Sequence, residues 1–272
     1  MKNTVAKIAF NIILILFALV TVIPFVWMFI SSFATNGDIV SISDNLFPKP
    51  STLDNYRNIQ TTFNFMRFFS NSLFISVVKT GIVLYTSAVG GYIFSKLRYR
   101  GRKFLFGMIL STMMIPWAVT IIPQYEMMMN FGLLDSYWAL ILPGLVNGFG
   151  VFMLKQSMDD IPDEIIEAAK VDGAGDFRIF HQIVLPLSRN ALSAIGIFVF
   201  LWNWEDYLWP FLMINTQEKQ VLAVGLKLFN GQYGTDYGGL FAATTVAIVP
   251  VLVVYIFFQK RFIEGLAAGS GK

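Results

Sequence analysis

Three groups of residues in this sequence have the types and spacing to do chemistry, and each is judged by its surroundings. Glu205 and Asp206 form a carboxylate pair directly after Trp202, Asn203 and Trp204. Paired carboxylates can divide the roles of acid and base, but no nucleophile, base or metal-ligand set accompanies these two. A pore or structural role is expected, the indole rings offering either a stacking surface for a sugar or an interfacial belt. Lys79 stands in an otherwise apolar run. An ammonium in hydrocarbon costs roughly 2.5–3.5 kcal/mol on insertion scales, so it faces a wet cavity or a partner, or else it snorkels to the surface. The outer end of its run is nine residues away, roughly 13 Å along a helix. That is far for a lysine, which favours a wet cavity, where it would line a path through the membrane, or a paired partner. The tail Gly265 to Lys272 superficially suggests a phosphate loop, but Leu266 occupies a required glycine position and no strand precedes it. The chain therefore carries no nucleotide site of its own. With no cysteine and the single histidine His181, disulfides, thiol chemistry, zinc–thiolate sites and histidine-cluster metal sites are all excluded. No metal and no cofactor are expected in the chain.

The elements that must position these residues follow from composition. Hydrophobic residues make up 56% and charged residues 14%, against about 25% charged in soluble domains. Missing charge with surplus apolar residues points to lipid as the solvent. The net charge of +3 is too small to argue for nucleic acid. Six stretches read as membrane-spanning helices, at 8–30, 70–94, 104–124, 137–156, 189–212 and 240–259. Each is near the roughly 20 residues a span needs, and helices satisfy their backbone polar groups internally. The first run, after Lys2 and Lys7, is too long for a signal-peptide core. Asn147, between Gly144 and Gly148, sits in a small-xxx-small pattern. It reads as a bundle or subunit contact first and a pore polar group second.

With the amino terminus inside, the inner segments hold 14 of the 20 Lys and Arg residues and the outer segments five, Lys79 being in a span. The positive-inside rule therefore predicts that both termini are cytoplasmic. The cluster Lys96 to Lys103 is the strongest contributor. The expected division is a first span and outer loop at 1–69, a core transmembrane region at 70–262 and a cytoplasmic tail at 263–272.

The inner loop at 157–188 is the most informative segment. Its spacing predicts a helix–turn–helix on the membrane surface. Asp160 suits an N-cap, Pro162 a first turn, and Asp163 and Glu164 the positive end of a helix. Gly173 falls where a left-handed residue ends that helix. A second helix is predicted from Asp176 to about Val184, with Pro186 stopping it. Ile165, Ile166, Ala169, Phe177, Phe180, Ile183 and Leu185 exceed what a solvated loop needs. Two readings remain: the loop packs on its own helix ends, or it plugs a partner's groove.

The string Glu167-Ala168-Ala169, three residues, Gly173, nine residues, Ile183, one residue, Leu185-Pro186 resembles the EAA signature of permease subunits of type I ABC importers. Asn71-Ser72-Leu73, Thr52 to Tyr56, the run 97–102, Gly132 to Tyr137 and Trp202 to Tyr207 resemble the carbohydrate-uptake, maltose-type class, so the likeness covers nearly the whole chain. Asn190 departs from a proline common there.

The resemblance implies an all-α membrane protein of six spans in a bacterial inner membrane, making half of a solute pathway. It implies a second homologous permease subunit, two ATPase subunits that bind ATP and magnesium, an extracytoplasmic solute-binding protein, and a sugar or oligosaccharide as solute. Glu167, Ala168, Ala169, Asp172, Gly173, Ala174, Ile183, Leu185 and Pro186 would couple to the ATPase. Lys79, Asn147, Trp202, Asn203 and Glu205 are candidates for the solute pathway. By the same likeness the tail would lie along the ATPase. An ion-coupled secondary transporter is the alternative, but it would want intramembrane carboxylates or inverted repeats, neither evident in the central spans.

Overall fold

A computed structural model of the chain describes residues 2–41, 47–231 and 234–270. The helices are α1 (Lys2–Ser31), α2 (Asn36–Val40), α3 (Asp54–Thr62), α4 (Phe65–Lys96), α5 (Arg102–Thr112), α6 (Trp117–Asn130), α7 (Tyr137–Ile141) and α8 (Gly148–Asp159). There follow α9 (Asp163–Val171), α10 (Asp176–Ile179), α11 (Leu185–Leu187), α12 (Arg189–Trp204), α13 (Leu208–Met213), α14 (Leu222–Lys227) and α15 (Tyr237–Ser270). Strands β1 (Asn230–Gly231) and β2 (Gly234–Thr235) pair antiparallel and, among the described residues, are the exception to helical secondary structure. The tail of α15 continues the helix to Ser270, and Gly271 and Lys272 lie outside the described residues.

Three of the expected spans are not single helices. The run 104–124 breaks at Pro116, whose ψ of 133° is extended. Proline has no N–H to donate and disfavours helix in the residue before it, so α5 ends at Thr112 and α6 leaves at 94°. The run 137–156 breaks into α7 and α8 around Pro143 and Gly144, the latter at φ +80°. The run 189–212 is interrupted between Trp204 and Leu208. Among the described residues, three helices are long and apolar enough to cross a membrane: Phe10–Ser31, Phe65–Lys96 and Tyr237–Lys260. The count reaches five if α5 with α6, and Asp176–Leu187 with α12, each form one bent span.

The chain separates into two compact units, residues 1–66 with 225–249 and residues 67–224 with 250–272. In the first, Asn55 donates to the carbonyls of Ser32 and Ala34, both at 2.9 Å, and Tyr56 shares a 2.7 Å hydrogen bond with Ser32. Trp27 meets Phe241 edge-on with centroids 5.2 Å apart.

The second unit has two apolar clusters. One joins Leu140, Ile141, Trp209, Met213 and Ile214. Polar staples bind it: Asn71 donates to the carbonyls of Glu218 and Gln220, each at 2.8 Å, and Trp209 Nε1 to the carbonyl of Ala139 at 2.9 Å. Asp135 adopts φ +56°, a left-handed conformation that aspartate tolerates. Its carboxylate accepts from the Thr216 hydroxyl at 2.5 Å, the Thr216 amide at 2.8 Å and the Asn215 amide at 3.0 Å. Those bonds, led by the Thr216 hydroxyl, hold it well below the usual carboxylate range. The second cluster lies under the 157–188 loop.

Candidate functional site

Helix α9 forms because its first turn carries Asp163 and Glu164 and its last turn Lys170, both suited to the helix dipole. The expected cap is corrected: Asp160 closes α8, and Pro162 at ψ 133° stands at the head of α9. The reason is Ile161, which is buried in the core and whose amide bonds back to the Met158 carbonyl, drawing Asp160 into the preceding turn. At the other end Gly173 takes φ +82°. Its amide donates to the Lys170 carbonyl at 3.0 Å, and the Ala174 amide reaches the Ala169 carbonyl at 2.9 Å. This is the paired bond pattern of a glycine-terminated helix. Lys170 and Asp176 face one another across the turn at 3.8 Å.

The second loop helix does not stop before Pro186. It passes from α10 through a π-helical segment, Phe180–Val184, into α11. The Leu185 amide reaches back five residues to the Phe180 carbonyl. The chain then turns by 76° into α12.

The loop's apolar residues divide into two sets. Ile166, Ala169, Ile179, Phe180 and Val184 are buried against Tyr92 and Ala88 of α4, Leu154 and Met158 of α8, and Ile195 and Val199 of α12. Ala174, Ile183 and Leu185 pack at the edge of that cluster. Ile165, Val171 and Phe177 face outward and are 40%, 87% and 76% exposed. Glu167, Ala168, Asp172, Gly173 and Pro186 are exposed as well. So α9 has one face fixed in the chain's own core and one left uncovered. Ala169, chosen from sequence as part of a docking face, belongs to the inner face. Val171 was not singled out from the sequence, although its place two residues before Gly173 puts it on the outer face.

The loop is also tied to the end of α4. The Lys96 ammonium is nearly enclosed, donates to Asp163 at 2.8 Å and also reaches the Ile161 carbonyl. Arg98 approaches the same carboxylate at 3.7 Å. The Lys96 hydrogen bond, then its charge, hold the Asp163 carboxyl below its usual range. Ser95 donates to Asp159 at 2.7 Å, and Lys155 pairs with the same carboxylate.

A cavity of about 660 Å³ lies in the same unit. Helix α4 supplies Lys79 and Val83, α6 supplies Trp117 and Gln124, and α12 supplies Val199, Trp202 and Asn203. Asn147 reaches it from the α7–α8 break, Asp206 from the break after α12, and Trp209 from α13. Lys79 turns inward, donating to the Leu140 carbonyl at 2.9 Å, and does not snorkel. Asn147 is foremost an N-cap, its side chain accepting from the Gly150 amide at 2.8 Å. Trp202 rests on Phe149 with centroids 5.7 Å apart. Of the carboxylate pair, Asp206 lines the cavity, whereas Glu205 is exposed and not among the lining residues. The interruption after Trp204 selects Asp206, and an uninterrupted helix through 189–212 could not have revealed it. Among the described residues no group of acidic, histidine or cysteine side chains is arranged for a metal. Indole faces beside amide, ammonium and carboxylate groups can stack on a ring and hydrogen-bond its hydroxyls.

Residues 86–267 match the family described as the binding-protein-dependent transport system inner membrane component. The diacetylchitobiose uptake system permease protein NgcG of Streptomyces coelicolor is 34% identical over 262 residues, 95% of this chain and 86% of that protein. The arabinooligosaccharides transport system permease protein AraQ of Bacillus subtilis is 30% identical, over 99% of this chain and 97% of that one. Among solved structures, a chain of a bacterial ABC transporter involved in the import of the acidic polysaccharide alginate superposes with a TM-score of 0.84 at 25% identity, covering 96% of this chain and 98% of that chain. The chain therefore belongs to the binding-protein-dependent transport system inner membrane component family and is a multi-pass membrane permease subunit of an ATP-driven importer, a transport subunit whose ATP hydrolysis resides in a partner.

Proposed function

We propose that this chain forms half of the solute pathway of a carbohydrate importer in a bacterial inner membrane, and that its 157–188 loop transmits the ATPase's motion to that pathway. A second homologous permease subunit supplies the other half, two ATPase subunits hold ATP and magnesium, and an extracytoplasmic binding protein delivers the sugar. On this reading six spans cross the bilayer, three of them broken, with both termini cytoplasmic. The broken helices follow the rule that irregular backbone at membrane depth lines a cavity or is covered by protein.

The observation that carries the reading is the two-faced character of α9. Its outer residues Glu167, Ala168, Val171 and Asp172 are uncovered, while Ile166 and Ala169 are locked into a core shared with α4 and α12. That core also contains Val83 and Val199, and both residues line the cavity. A displacement of α9 is thus passed through packed side chains to two walls of the cavity, since interiors pack too densely to absorb it locally. ATP then acts by binding one arrangement of the assembly better than the other. The cavity's tryptophans and polar groups suit a sugar, in keeping with relatives named for diacetylchitobiose and arabinooligosaccharides.

The test is uptake of a labelled oligosaccharide into vesicles carrying the complete complex. Uptake is expected to require ATP and to persist once proton and sodium gradients are collapsed. Glu167→Lys is expected to insert normally, to lose capture of the ATPase and to abolish uptake. Gradient-driven uptake without ATP would reject the importer reading, and normal ATPase capture by Glu167→Lys would remove that residue from the docking face.

A further inference from the structure

We propose that the turn between α4 and α5 is a binding site for the phosphate headgroup of an anionic phospholipid. Residues 97–103 hold Arg98, Arg100, Arg102 and Lys103. A cavity of about 630 Å³ opens there, lined by Arg98, Tyr99, Gly101, Arg102, Lys103 and Phe104. The cations are not equivalent. Lys96 and Arg98 are matched by the Asp163 carboxylate. Among the described residues, Arg100, Arg102 and Lys103 enter no ion pair within 4 Å. Arg100 and Lys103 are left without a counter-charge, and Arg102 feels Asp163 only at longer range, beyond ion-pair distance.

The turn is also built rather than merely charged. Arg102 Nη1 donates to the carbonyls of Ser95 at 3.2 Å and Leu97 at 3.1 Å, which fixes the guanidinium plane. Its Nη2 and Nε remain to donate to an anion, in the forked geometry that suits phosphate oxygens.

The neighbouring helix points to a lipid as the source of that phosphate. Helix α5 has no buried residue. Phe104, Leu105 and Met108 project from it fully enough to meet acyl chains. A phospholipid lying along α5 would place its headgroup at the cavity, with Tyr99 at the depth where amphipathic rings settle and Phe104 against the acyl chains. Clustered Lys and Arg at a span end attract anionic headgroups, and the attraction weakens with salt. This site does not depend on the sugar or on ATPase docking, so its failure leaves the transport reading intact.

The test is native mass spectrometry of the full chain in detergent, titrated with phosphatidylglycerol and, separately, phosphatidylcholine. The wild type is expected to retain phosphatidylglycerol preferentially. Arg100→Gln with Lys103→Gln should weaken that binding by about thirty-fold at low salt, the combined weight of two cations near the surface. Arg100→Lys with Lys103→Arg should bind as the wild type does. Equal retention of the two lipids by the wild type would overturn the proposal, and that result is readable even if the double glutamine variant fails to insert. Unchanged phosphatidylglycerol affinity in that variant would overturn it too. Displacement of the lipid by equimolar inorganic phosphate would reassign the site to free anions. Lost ATPase capture with unaltered lipid binding would reassign the patch to a protein contact.

Discussion

Gly173→Ala isolates the turn that ends α9 from every other feature of the loop. Gly173 sits at φ +82° with no atom within 4 Å of where a Cβ would lie, so steric contact adds nothing to the cost. What remains is the conformational penalty of the left-handed region, about 1–2 kcal/mol for a residue with a Cβ. Gly175 provides the control: it too has open space around its Cβ position, but it lies at φ −73° and ψ 164°, where alanine is at ease. Gly175→Ala costs nothing in the turn that ends α9, and whatever it changes falls on the N-cap of α10. A penalty of 1–2 kcal/mol shifts the opening equilibrium of the turn by about five- to thirty-fold. The direct readout is amide exchange of Gly173 and Ala174, whose amides bond to the carbonyls of Lys170 and Ala169. Exchange at these two positions should accelerate five- to thirty-fold in Gly173→Ala and stay unchanged in Gly175→Ala. ATPase affinity should fall only as far as the closed fraction falls, and so far less than the exchange rate rises, if the closed turn is the form that docks. Equal exchange in the two variants would rule out the left-handed backbone as the source of the penalty, because the two glycines share open space and differ in their backbone angles.

Three further outcomes follow from the same geometry. Asp163→Asn removes the carboxylate that Lys96 holds, and since Asp163 is itself largely exposed the loss should be about 1 kcal/mol or less in thermal unfolding at pH 7. The folded Asp163 carboxyl is depressed, so its contribution is complete above about pH 4 and fades as pH falls below that; the gap between wild type and Asp163→Asn should close on acidification. Asp135→Ala strands the Asn215 and Thr216 amides and the Thr216 hydroxyl, and should destabilise the purified chain by about 2 kcal/mol or more in a melting assay. In sugar uptake, Asp206→Asn should depress transport several-fold while Glu205→Gln leaves it near normal, because Asp206 alone of the pair lines the cavity.

How far the sequence could be read depended on whether the deciding force was local. Gly173 and the α9 dipole residues were legible because caps and left-handed turns are set by neighbours in sequence. The long apolar runs of α1, α4 and α15 were legible because hydropathy alone demands burial in lipid. The interrupted runs were not. Pro24, Pro123 and Pro250 lie inside helices while Pro116 and Pro143 attend breaks, and which outcome prevails depends on whether neighbouring groups satisfy the freed carbonyls. Asp160 ends α8 and does not cap α9 because burial of Ile161, a tertiary effect, draws it into the preceding turn. Residues that suggested the carbohydrate class prove to be hydrogen-bonding staples in this fold: Asn55 and Tyr56 near Ser32, Asn71 on the 218–220 backbone, Asp135 on the 215–216 amides. Their partners stand up to roughly 150 positions away in sequence, so spacing gave no hint of them.

If the ATPase covers the outer face of α9, a single-cysteine protection experiment will detect it, because the chain has no native cysteine to mask. Ala168→Cys or Val171→Cys, in membranes exposing the cytoplasmic face, should react rapidly with a charged maleimide when the ATPase is absent and become at least ten-fold slower when it is bound. Leu53→Cys, exposed on the expected outer loop, should be unreachable from that side in either case. Labelling of residues 168 and 171 at the same rate with and without the ATPase, or only from the opposite side of the membrane, would contradict the account.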